Sequence, residues 1–263
     1  MDLHLAGKVA MVAGASRGLG KAVAATLAEE GAELSICARS PEPLKRTAES
    51  LEQQHAVSVL AQAVDVTSDS EVSSWVDATR ERFGHVDVLV TNAGGPPASR
   101  FDSTDLSDWK AGIELNLLST IHLCRAVVPL MRERKAGRIV AITSISVKQP
   151  VDGLILSNVT RLGVVGLFKT LANELAPDGI GVNVVCPGYT RTDRLEELAT
   201  RMSKQQNVSE ESIYGNWTNQ IPMKRLGEPE EFAAVVAFLC SDKSSYVTGT
   251  CLQIDGGAVK GIL

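Results

Sequence analysis

Two groups of residues in this 263-residue chain have the types and spacing to do chemistry. The first is the glycine set Gly14, Gly18 and Gly20 in "VAMVAGASRGLGKAVAATLAEEG", set between an apolar β-branched run and a helical pattern. Glycines there allow a tight turn and close backbone approach, while the helix start offers free N–H groups and a positive dipole end to a pyrophosphate. The next apolar run ends "ICARS", with Arg39 and Ser40 where a reader of NAD would place an acid for the ribose 2′-hydroxyl. Arg17 inside the glycine turn and Arg39 instead suit a 2′-phosphate, because guanidinium forks match phosphate geometry. The expected cofactor is therefore NADP(H). The second group lies in "DGLILSNVTRLGVVGLFKTLANELAPDG", where Ser157 and Arg161 stand at i and i+4 and so share one helix face. A guanidinium there can bind and add positive charge but cannot shuttle protons.

The elements that position these residues alternate along nearly the whole chain. Apolar runs at 8–14, 33–38, 57–66, 86–94, 137–144, 180–188 and 251–255 read as strands. Helical periodicity falls at 18–30, 41–54, 69–83, 112–133, 154–175 and 228–240. Asp69 and Glu71, and Glu228-Pro229-Glu230-Glu231, are start signals for two of these helices. The expected fold is α/β: a single-domain, Rossmann-type, doubly wound parallel sheet of about seven strands with helices on both faces. No internal boundary, repeat or low-complexity run interrupts residues 1–263, and Pro96-Pro97 reads as a local loop. The segment 189–227 stands outside the alternation, polar with two short helical patches, and reads as a substrate loop or lid. It offers Tyr214, Trp217, Ile221 and Met223 to an apolar or mixed ligand.

Composition excludes several function classes. A net charge of −5 and a pI near 5.5 argue against nucleic acid or an anionic membrane as main partner. Cys37, Cys124, Cys186, Cys240 and Cys251 form no Cys-x-x-Cys and have no His at metal-ligand spacing, so buried free thiols in a reducing compartment, and no metal, are expected. The N-terminus lacks a signal-peptide pattern and no run is read as approaching membrane-span length, which points to a cytoplasmic protein.

The motifs together resemble the short-chain dehydrogenase/reductase family over residues 5–258, with the 3-oxoacyl-(acyl carrier protein) reductase-like group as the nearest flavour. "AGASRGLG" (13–20) resembles its Thr-Gly-x-x-x-Gly-x-Gly, with Ala13 where Thr is usual, and implies cofactor contacts from Gly14, Ser16, Arg17, Gly18, Leu19 and Gly20. "DVT" (65–67) is similar to the adenine-contacting Asp and its neighbour, here Asp65 and Val66. "NAGG" (92–95) carries Asn92, Ala93 and Gly94, and "ELNLLST" (114–120) carries Asn116. "ITSIS" (142–146) supplies the catalytic Ser as Ser144. "PGYTRT" (187–192) implies a nicotinamide site from Pro187, Gly188, Thr190 and Thr192. "VTGTCLQIDGG" (247–257) resembles a strand that often lies at a tetramer interface, so a homotetramer is implied, with a dimer as the alternative.

One departure stands out. The family's Tyr-x-x-x-Lys falls here on Ser157 and Arg161, and none of Tyr189, Tyr214 or Tyr246 is followed four places later by Lys. In the family, Tyr passes the carbonyl proton, Lys lowers its pKa and binds the nicotinamide ribose, and Ser holds the substrate oxygen. Arg161 can keep the ribose contact and the positive charge, whereas Ser157 is less acidic than a phenol and stops short of its reach. Two readings follow. In the first, the chain is an NADP(H)-dependent oxidoreductase acting on a small carbonyl or alcohol, with an acyl thioester as a candidate. Its proton then comes from water held by Ser144 and Ser157, or from Tyr189 or Tyr214. In the second, it binds NADP(H) with little chemistry, as a sensor or a non-catalytic subunit.

Overall fold

The computed structural model describes residues 1–262. Seven parallel strands form one sheet in the order β3-β2-β1-β4-β5-β6-β7. They are β1 (Val9–Ala13), β2 (Glu33–Ala38), β3 (Val59–Ala63), β4 (Val88–Thr91), β5 (Gly137–Ile142), β6 (Ile180–Pro187) and β7 (Cys251–Ile254). Strands β1, β4 and β5 are buried on both faces apart from Arg138, which is why they read as unbroken apolar runs. Helices α1 (Gly18–Glu29), α2 (Pro41–His55) and α9 (Pro229–Cys240) cover one face with Val23, Leu27, Leu44, Phe232 and Val236. Helices α3 (Asp69–Phe83), α5 (Ser119–Arg134) and α6 (Ile155–Leu175) cover the other with Trp75, Val127, Met131 and Phe168. This is the doubly wound architecture expected, in one domain.

The strands are shorter than the apolar runs that announced them, and the overhang has a use. Residues that leave the sheet at its carboxyl end include Gly14 after β1, Asp65 and Val66 after β3, Asn92 to Gly94 after β4, Thr143 and Ser144 after β5, and Gly188 after β6. Strand order reverses between β1 and β4, and ligands of open α/β sheets bind at that switch point.

The helical pattern at 112–133 resolves into α4 (Leu106–Ile113), a π-helical turn (Glu114–Leu118) and α5. Asn116 sits in the π turn, and such turns concentrate at functional sites. The helical stretches Leu106–Arg134 and Ile155–Asp178, with mean hydropathy 1.3 and 1.2, are long and apolar enough to cross a membrane. That corrects the expectation that no run approaches such a length. Their apolar residues Leu123, Met131, Val164 and Phe168 instead share a core with sheet residues such as Met11, Leu89 and Val184.

Segment 189–227 forms two further helices, α7 (Asp193–Gln206) and α8 (Glu210–Gln220). They enclose a satellite core of Leu195, Ala199, Ile213, Trp217, Ile221 and Leu226.

Candidate functional site

A cleft of about 680 Å³ runs along the carboxyl ends of the strands. It is lined by every site residue read from the sequence except Gly20 and Asn116. At one end the chain turns at Gly14 with φ +65°, and Asn92 Nδ2 donates to the Gly14 carbonyl at 3.3 Å, holding the turn against β4. Gly20 lies behind the turn: a Cβ there would fall inside the Gly14 carbonyl oxygen, so helix and strand approach this closely only with glycine. The start of α1 has neither an acid in its first turn nor a side-chain cap, so nothing local neutralises its positive end. Gly18 and Leu19 bring that end to the cleft, with Ser16 and Arg17 beside them.

Arg39 and Ser40 line the same end, just past β2. Asp65 is held below the usual carboxylate range by the Thr67 backbone N–H, then by the Thr67 hydroxyl and Arg39. Arg17 does not stand free: its Nη1 donates to Glu197 Oε1 of α7 at 3.0 Å, with both side chains about half exposed. The glycine turn is thereby tied to the segment that overhangs it.

At the other end, Ser144 caps a short 3₁₀ turn, and its Oγ accepts from the Ser146 N–H at 3.1 Å. The Ser146 hydroxyl lies 3.5 Å from Ser157 Oγ, and both residues are buried. Ser157, Ser146 and Ser144 therefore form a short polar chain to the cleft, and Ser146 is the link the motif comparison missed. Asn158 clasps the preceding loop in both directions, accepting from Val151 N–H at 3.2 Å and donating to its carbonyl at 3.1 Å, which fixes the start of α6. Asn116 sits beneath, 3% exposed, with Oδ1 unpartnered among the described residues.

Arg161 emerges one turn after Ser157 on the same face, as the spacing requires, and is 8% exposed. Its Nη1 donates to the carbonyls of Ile142 at 3.3 Å and Thr143 at 3.1 Å, and its Nη2 to Ala93 at 3.4 Å. The guanidinium thus ties the ends of β4 and β5 together across the cleft floor. Burial, and secondly the charge of Arg194, push its pKa down to about 10, so it stays protonated at neutral pH. Pro187, Gly188, Thr190 and Thr192 form the facing wall; Thr192 also caps α7, accepting from the Leu195 N–H at 3.3 Å.

Two expectations need correction. Neither Tyr189 nor Tyr214 lines the cleft. Tyr189 stacks on Trp217 with ring centres 5.3 Å apart, and Tyr214 meets the same indole edge-on at 5.5 Å. Burial raises the pKa of both phenols, and neither reaches the reacting end. Trp217 and Ile221 are likewise part of the satellite core and not of the cleft wall, and Met223 is absent from that wall too. Cys186 and Cys251, distant in sequence, lie 3.3 Å apart, sulfur to sulfur, across β6 and β7. All five are free thiols.

A family model described as Enoyl-(Acyl carrier protein) reductase matches residues 14–259. Oxidoreductase UcpA of Escherichia coli (strain K12) is 38% identical over 256 residues, covering 97% of this chain and 95% of that protein. The 3-oxoacyl-(acyl-carrier-protein) reductase FabG of Aquifex aeolicus is 33% identical over 257 residues, covering 98% and 99%. Among solved structures, L-sorbose reductase from Gluconobacter frateurii, complexed with NADPH and L-sorbose, superposes with a TM-score of 0.95 at 34% identity, covering 100% of both chains.

Proposed function

This chain belongs to the short-chain dehydrogenase/reductase family, and on that premise we propose that it is an NADP(H)-dependent oxidoreductase with an atypical proton donor. It interconverts a carbonyl and an alcohol on a substrate of the 3-oxoacyl type. The observation that carries the reading is one continuous cleft, with the glycine turn, Arg17 and Arg39 at one end and Ser144, Ser157 and Arg161 at the other. Similar proteins described as an NADPH complex and as an NADPH-dependent reductase support the cofactor, and the FabG relatives support the substrate type.

NADP(H) fits the residues present. Backbone N–H groups from Gly14 to Gly20 and the uncompensated start of α1 would hold a pyrophosphate. Arg39 and Ser40 would hold a 2′-phosphate together with Arg17, which would leave Glu197 to do so. Asp65 and Val66 would flank the adenine, Asn92, Ala93 and Gly94 would lie under the ribose side, and Pro187 to Thr192 would take the carboxamide. When bound, the cofactor supplies or accepts the hydride.

The chain's own residues handle the oxygen and the proton. Ser144 donates a hydrogen bond to the substrate carbonyl oxygen. Arg161, protonated and fixed by three backbone carbonyls, places a permanent positive charge under the negative charge that develops there. It cannot pass a proton at neutral pH, so a water seated between Ser144 and Ser157 does, with Ser146 joining the two hydroxyls from behind. Asn116, whose Oδ1 has no partner among the described residues, can take a further water behind this group from the π turn. Helices α7 and α8 act as the lid, tied to the glycine turn by Arg17 and Glu197 until the cofactor's 2′-phosphate draws Arg17 away. A homotetramer or dimer forms through the β7 region, where Tyr246 and Leu252 are exposed.

A second reading has its own observation: Arg161 is committed to carbonyls and Ser157 to Ser146. That arrangement equally serves a protein that binds NADP(H) and does little chemistry. NADPH consumption on a panel of 3-oxoacyl thioesters, ketones and aldehydes, run beside NADPH fluorescence titration, separates the two. The reductase reading expects turnover that Ser144→Ala lowers by about 10²-fold or more. Tight NADPH binding with no turnover on any carbonyl or alcohol selects the second.

A further inference from the structure

Two guanidiniums converge at the reacting end of the cleft. Arg161 comes up from α6 and donates through Nη2 to the Ala93 carbonyl at 3.4 Å; Arg194, the second residue of α7, donates through Nη2 to the Pro96 carbonyl at 3.3 Å. Gly95 lies between those two carbonyls. A Cβ built on it would stand 3.5 Å from Arg194 Nη2 and 3.9 Å from Arg161 Nη2. That point is empty because residue 95 has no side chain, and both guanidiniums face it.

The arrangement costs free energy as it stands. Like charges this close repel, and a buried charge without a counter-ion is unfavourable. Among the described residues no carboxylate lies within ion-pair distance of Arg161. Arg194 has Glu197 at 3.8 Å, but Glu197 is shared with Arg17 at 3.0 Å. Asp193 lines the cleft and makes no ion pair among the described residues. The strain registers in Arg161, whose pKa is pushed down first by burial and then by Arg194. An oxyanion beside Gly95 would offset both charges and accept from both forks at once.

We propose that Arg161, Arg194 and the open backbone at Gly95 form an anion subsite that takes a carboxylate on the substrate, so that the compounds this chain reduces are oxo acids. The proposal rests on the reading of the cleft as a reductase site and narrows it: the acyl end of a 3-oxoacyl substrate is a free carboxylate and not a neutral thioester. The one competing source of an oxyanion here is the cofactor's own pyrophosphate.

The test uses the full chain with NADPH. Acetoacetate and methyl acetoacetate are titrated into the NADPH-loaded protein, with NADPH fluorescence reporting binding and its absorbance loss reporting turnover. The acid should bind about tenfold tighter than the ester or better. Arg194→Gln should bring the acid down to the ester's level while NADPH affinity changes less than about twofold, and Arg194→Lys should keep much of the preference. Arg194 is 47% exposed, so these variants fold. Equal binding of acid and ester overturns the subsite and leaves the reductase reading standing. A loss of NADPH affinity in Arg194→Gln as large as the loss for the acid overturns it too, assigning the oxyanion to the cofactor. Failure of the unaltered chain to bind NADPH overturns the reading beneath it.

Discussion

Replacing Ser157 with Tyr places a phenol at the one position in the cleft from which a titratable proton donor is missing. A tyrosine hydroxyl has a pKa near 10, far below that of an aliphatic alcohol. The ring would extend from the buried helix face into a cleft of about 680 Å³, so it has room without displacing the sheet. A positioned acid of this kind is worth about 10²–10⁴ in rate, or roughly 3–5 kcal/mol of barrier. Arg161 already supplies the cation that lowers a neighbouring phenol's pKa, so Ser157→Tyr alone should recover most of that gain. Arg161→Lys alone should recover none. It also removes a fork that serves three carbonyls, at 3.3, 3.1 and 3.4 Å, and leaves a single nitrogen in its place. Those carbonyls border the cleft and can take water, so the net loss is about 1–3 kcal/mol, partly offset by the desolvation the guanidinium no longer bears. At this chain length that lowers Tm by about 2–4 °C per kcal/mol. Steady-state kcat, NADPH affinity and thermal unfolding of both single variants and the double variant decide the matter. A folded Ser157→Tyr protein that binds NADPH normally and turns over within about tenfold of the parent refutes the claim that proton supply limits the rate.

Other expected outcomes follow from the rest of the cleft. Arg39→Ala should weaken NADPH about tenfold to a hundredfold and leave NADH unchanged; equal weakening of both in fluorescence titrations removes Arg39 from 2′-phosphate reading. Gly20→Ala puts a methyl into the Gly14 carbonyl and 2.8 Å from Asn92 Nδ2. It should cost about 1–3 kcal/mol by overpacking and lower NADPH affinity, whereas an unchanged Tm would mean the turn is looser than drawn. Cys251 is held below the ordinary thiol range by the Cys186 S–H beside it and by Lys148, while burial pushes Cys37, Cys124 and Cys240 up to about 12. Alkylation by iodoacetamide, followed by mass spectrometry, should therefore fall first on Cys251. Its rate should climb at a pH below the ordinary thiol range as the thiolate forms; a climb only within or above that range contradicts the sulfur contact.

What was legible in the sequence divides along a physical line. Local chemistry was readable: the glycine turn between strand and helix, the absence of an acid after β2, and the shared face of Ser157 and Arg161 all depend on neighbours a few residues away. The strand runs were readable too, and their overhangs beyond Val59–Ala63 or Val88–Thr91 line the cleft. Side-chain partners chosen across the fold were not. Ser146 differs from any loop serine only because α6 brings Ser157 to it. Arg194 reads as one more charge in a polar segment until α7 carries it over Gly95. The aromatic residues of that same segment misled in the opposite direction. Tyr189, Tyr214 and Trp217 looked like ligand contacts because the segment lay outside the strand–helix alternation, yet they were needed for each other: two helices that leave the main core must bury an apolar cluster of their own. A segment with its own core can pack against the cleft as a unit, and what it brings to the cleft wall is the start of α7, Thr192, Asp193, Arg194, Leu195 and Leu198, rather than the rings that hold the segment together.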